Sequence, residues 1–84
     1  CQQPASLSLD AQLILINGMF VPTMNRELAK HPTQLSPEQV NAIIAYVADS
    51  VVNQSCQTVT PATRAMAVKL SHSAWLATTG QSGQ

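Results

Sequence analysis

Apolar positions recur at helical spacing in three stretches of the chain, and proline–cap signals separate the stretches. The clearest run is Val40, Ile43, Ile44, Val47 and Val51, spaced three and four residues apart, which puts one apolar stripe along a helix. Asn41, Asp49 and Asn53 fall elsewhere on the same wheel. Ser36-Pro37-Glu38-Gln39 supplies the start: a serine at the N-cap, proline at the first helical position, and a glutamine three residues after the cap. Glu38 adds negative charge beside the positive end of the helix dipole. The spacing predicts a helix over about 37–54.

Thr60-Pro61-Ala62-Thr63 repeats the cap-then-proline pattern and opens another helix. Ala62, Ala65, Met66, Leu70 and Ala74 can share its buried face, with Trp75 and Leu76 near the end. Gly80 is the expected stop.

The first half is less regular. Ser8 can cap a helix whose stripe runs Leu9, Leu13, Ile16, Phe20, while Ile14, Leu15, Met19 and Val21 place further apolar side chains outside that stripe. Pro22 lacks an amide donor and its ring clashes with the carbonyl four residues back, at Gly18. The helix therefore either kinks or breaks there. It must end by His31, because Pro32 follows. A helix apolar over so much of its circumference is either central to the core or partly a docking surface. The candidate partner contacts are Leu13, Ile14, Leu15, Met19, Phe20 and Val21, with Trp75 as a separate candidate anchor, its alternative being a core role. The expected fold is all-α: a small bundle of three to four helices with short loops. Residues 1–7 read as a polar tether, 8–79 as the helical domain and 80–84 as a flexible tail.

Composition narrows the functional classes. Four basic residues (Arg26, Lys30, Arg64, Lys69) balance four acidic ones (Asp10, Glu27, Glu38, Asp49), too few cations to neutralise a run of phosphates or to dock on an anionic bilayer. Nucleic acid is not an expected partner. No apolar run is long enough to span a membrane. His31 and His72 are the only histidines, and with Cys56 they lack the spacing of a metal site. Cys56 lies in Ser55-Cys56-Gln57 without a nucleophile signature, and no carboxylate pair is set up for acid–base work. The expectation is no catalytic residue, no metal, no cofactor and no enzyme. Asn53-Gln54-Ser55 matches a glycosylation acceptor pattern, read here as a chance match.

The sequence begins at Cys1, followed by Gln2-Gln3-Pro4-Ala5-Ser6. Cys1-Gln2-Gln3-Pro4 resembles the start of a processed bacterial outer-membrane lipoprotein, and a small helical domain behind a short tether is similar to the pilotins of type II and type III secretion systems. The resemblance implies a lipid on Cys1, residence on the periplasmic side of the outer membrane (Gln2 is not the aspartate of the retention pattern), and a protein partner. That partner is a secretin segment for a pilotin-like chaperone, or another subunit if the chain is a structural part of a secretion or conjugation complex. The expected function is thus a non-enzymatic, lipid-anchored envelope protein that works by contact.

An alternative uses the same sulfur differently. A thioether at Cys1 cannot also bond Cys56, whereas a Cys1–Cys56 disulfide would close most of the chain and contribute roughly 4 kcal/mol by loop entropy. That version is a secreted helical protein (a toxin, a pheromone or a carrier of an apolar ligand) with an apolar cavity lined by residues such as Leu13, Phe20 and Met66.

Overall fold

In the computed structural model, which describes residues 7–31, 33–56 and 58–80, every regular element is helical. Helix α1 (Leu9–Leu15) passes without interruption into a π-helical turn (Ile16–Phe20) and then into α2 (Val21–Leu28); α3 (Pro37–Ser55) and α4 (Pro61–Thr79) follow. The all-α expectation holds, with α1, the π turn and α2 forming one continuous rod beside α3 and α4.

The caps form where the local chemistry puts them. Ser8 Oγ accepts from the Ala11 amide at 3.1 Å. At α3 the two halves of the capping box both form: the Gln39 amide donates to Ser36 Oγ at 3.2 Å, and the Ser36 amide donates to Gln39 Oε1 at 2.8 Å. Thr60 Oγ1 accepts from the Thr63 amide at 3.1 Å to open α4. Gly80 closes it with φ at 72°, a left-handed conformation that a side chain would strain.

The first rod departs from a regular helix for a reason written at Pro22. This residue has no amide to offer the Gly18 carbonyl, and its ring would strike that carbonyl in an α-turn. The backbone widens just ahead of it: the Val21 amide donates to the carbonyl of Ile16, five residues back rather than four. So Pro22 does not end the helix. It changes its phase. Counting back from Phe20 by five, then by four, gives Leu15 and Ala11, both partly covered, whereas Leu9 and Leu13, inward-facing in a uniform α-helix, are 72% and 47% exposed. The expected buried stripe is overturned at its first two members, and α1 contains no buried residue at all.

The core lies between the second half of this rod, α3 and α4. Ile16, Phe20 and Met24 meet Ile43, Ile44, Val47, Ala48, Val51 and Val52, closed by Ala67, Leu70 and Ala74. On α3 the expected stripe is buried at Ile43, Ile44, Val47 and Val51, while Val40 is half-covered at the edge. On α4 the buried face is Thr63, Ala67, Leu70, Ser71 and Ala74. Ala62 and Ala65, expected inside, are exposed, and Met66 is only partly buried. Small side chains at Ala67, Ser71 and Ala74 let α4 approach α3 closely. The burial of two hydroxyls is tolerated because both are bonded: Ser71 Oγ donates to the Ile44 carbonyl at 2.8 Å, and Thr60 Oγ1 donates to Thr63 Oγ1 at 2.9 Å. Among the described residues, no helix is long and apolar enough to cross a membrane.

Candidate functional site

Two features meet at α1: an outer side carrying exposed aliphatic residues and a half-open apolar pocket beneath it. Leu9, Leu13 and Ile14 form the outer face, with Ile14 73% exposed. Three large aliphatic side chains are thus left in water on one seven-residue helix, with exposed Asp10 among them. The other candidate contacts divide. Leu15, Met19, Val21 and Trp75 are half-buried and pack against the core. Phe20 is 2% exposed, so it is a core residue and leaves the set of contacts available to a partner.

On its inner side α1 faces a half-open apolar pocket of about 340 Å³. Ala11 and Leu15 look into it from α1, Phe20 from the π turn, and Ala67 and Leu70 from α4. The end of α3 supplies Val51, Val52 and Ser55, and its cap residue Cys56 completes the wall. Leu7 lines it too, so the residue assigned to the end of the tether belongs with the domain; its carbonyl accepts from Gln12 Nε2 at 3.2 Å. Of the three residues expected around an apolar cavity, Phe20 is there, while Leu13 has turned to solvent and Met66 lies at the core's edge. Ala11 and Leu15 stand four apart, which is a sequence signal, but it falls out of phase with Leu9 and Leu13 and means something only once the π turn is known.

Cys56 is disulfide-bonded. Cys1, the other cysteine of the sequence and the expected lipid site, lies outside the described residues, as do residues 2–6 of the tether and 81–84 of the tail.

No known family, curated protein or solved structure matches this chain.

The polar groups make local ties. Arg64 Nε and Nη2 donate to the two carboxylate oxygens of Asp49 at 2.9 and 3.2 Å, a forked pair that links α4 to α3 on the surface. Hydrogen bonding to Asp49, and then its charge, hold the Arg64 guanidinium pKa above its ordinary value. Glu27 lies 3.5 Å from Lys30 Nζ and 3.3 Å from His31 Nε2, all three near the end of α2. His72 is exposed and stacks on Trp75, ring centroids 6.2 Å apart. The Trp75 indole N–H is buried with no hydrogen-bond partner among the described residues. Also among the described residues, no three of His, Cys, Asp or Glu come together as a metal site would need.

Proposed function

We propose that this chain is a non-enzymatic protein of an oxidising compartment outside the cytoplasm, in the cell envelope or beyond it, and that it acts by protein–protein contact through the outer face of α1. The observation that carries this reading is the exposure of Leu9, Leu13 and Ile14 on a helix that contributes no buried residue to the core. Burying what remains exposed of those three side chains against a partner would contribute at most about 1.5–3 kcal/mol each toward association, so the interface would need further contacts around them. The disulfide at Cys56 supports the compartment, because disulfides persist where thiols are not continuously reduced.

A photo-activated cross-linking residue placed at Ile14 in the producing cell tests the contact role. The expected result is a discrete adduct with an envelope protein, absent when the same residue replaces exposed Lys69 on α4. Equal labelling from both positions, or none from Ile14, sinks the reading.

The lipid-anchored version, pilotin-like or structural, is the second reading, and Cys1-Gln2-Gln3-Pro4 is the feature that favours it. A lipid on the Cys1 sulfur would force the Cys56 disulfide to join a second molecule. A bridge within the chain would leave Cys1 without a lipid. Intact mass of the native protein, with and without reductant, separates the two: a diacylglyceryl addition on one side, a bare chain gaining two hydrogens on the other.

A further inference from the structure

We propose that the cavity beneath α1 is a binding site for one small, uncharged apolar molecule. This goes beyond the contact role of the outer face and does not depend on it. Protein interiors pack to crystal density and leave few voids larger than a water molecule. The space beneath α1 is a half-open pocket of about 340 Å³, at the lower end of ligand pockets, which run roughly 300–1,000 Å³. Cavities lined by aliphatic and aromatic side chains stay dry and take up apolar guests such as benzene at even about 150 Å³.

The chemistry of the wall selects the guest. Leu15, Phe20, Val51, Val52, Ala67 and Leu70 offer only hydrocarbon. Among the described residues, the hydroxyls in the lining belong to Ser55 and Thr63, and the Thr63 oxygen already accepts from Thr60. Among the described residues, Cys56 is the one lining residue of an ionisable type, and as a disulfide it has no thiol to titrate. A carboxylate or ammonium drawn into this space would lose part of its water without gaining a counter-charge from the described lining. A hydrocarbon or an alcohol loses little. The π turn is what holds Ala11 and Leu15 toward this space rather than toward solvent, so the site follows from the same phase change that exposes Leu13.

The test is a fluorescence titration of the intact, oxidised protein with N-phenyl-1-naphthylamine, an uncharged apolar probe that brightens out of water. The expected result is saturable binding of one probe per chain, displaced by 1-decanol and at least tenfold less well by decanoate at neutral pH. Ala11→Phe, which fills the space from α1, should weaken probe binding at least tenfold without lowering the melting temperature. Leu13→Ser, on the opposite face, should leave binding unchanged. Absence of saturable binding overturns the site. So does displacement by decanoate as efficient as by decanol, or loss of binding in Leu13→Ser with retention in Ala11→Phe, which would place the probe on the outer surface.

Discussion

Ser71 shows how much a single hydroxyl decides in the register of α4. Hydrophobicity alone turns Met66 inward and Ser71 outward; in the structure Met66 is only partly buried and Ser71 is fully buried, its hydroxyl proton finding the Ile44 carbonyl at 2.8 Å. That carbonyl lies well inside α3, so losing the serine need not leave it without a ladder bond. Ser71→Ala is therefore expected to cost about 1 kcal/mol, the net worth of one buried neutral hydrogen bond, read as a lowered urea midpoint at unchanged slope. The sequence contains both Ser71 and Ile44 but no sign that they meet, since the pairing is tertiary. At the caps the opposite holds. Ser36, Gln39 and Thr60 act within three residues of themselves, and their roles are legible from spacing alone.

At the scale of elements, α3 is readable because nothing interrupts its 3.6-residue period: a cap, a proline and a stripe agree with one another. The first rod is not, because its period changes midway. Pro22 announces a conflict at the Gly18 carbonyl without saying how it is resolved, and kink, break and widened turn are all consistent with the residues. A Cβ at Gly18 would meet no atom of the neighbouring elements within 4 Å, so close packing against them does not call for a glycine; the conflict the wide turn relieves is the one Pro22 creates at the Gly18 carbonyl. Replacing Pro22 with alanine restores an amide donor for Gly18 and removes the clash. The expected outcome is a regular α-helix across residues 9–28 that is about 1–2 kcal/mol more stable, less than the ~3 kcal/mol proline costs in an undistorted helix interior because the wide turn already relieves part of it. The same change should rotate Leu13 toward the core and Leu15 away, which NMR contacts of their methyl groups to Phe20 would report.

Over the whole molecule, the Cα radius of gyration is 12.3 Å, close to the roughly 12 Å of a fully collapsed chain of this length. The space beneath α1 is thus a local consequence of helix phase, not of loosely assembled helices. Surface charge adds little: both members of the Asp49–Arg64 pair are about half exposed, where water and salt screen them. Stability rests on the core between the π turn, α2, α3 and α4, with Leu15 of α1 packed at its edge and Leu9, Leu13 and Ile14 on the side exposed to solvent. Urea denaturation of the Leu13→Ser, Ile14→Ser double variant tests that division most directly. A surface face predicts a change within about 0.5 kcal/mol per site, in either direction, with the helical signal intact. A loss of about 2–5 kcal/mol per site, the cost of truncating core aliphatics, would mean that α1 belongs to the core and that its outer face is not a contact surface.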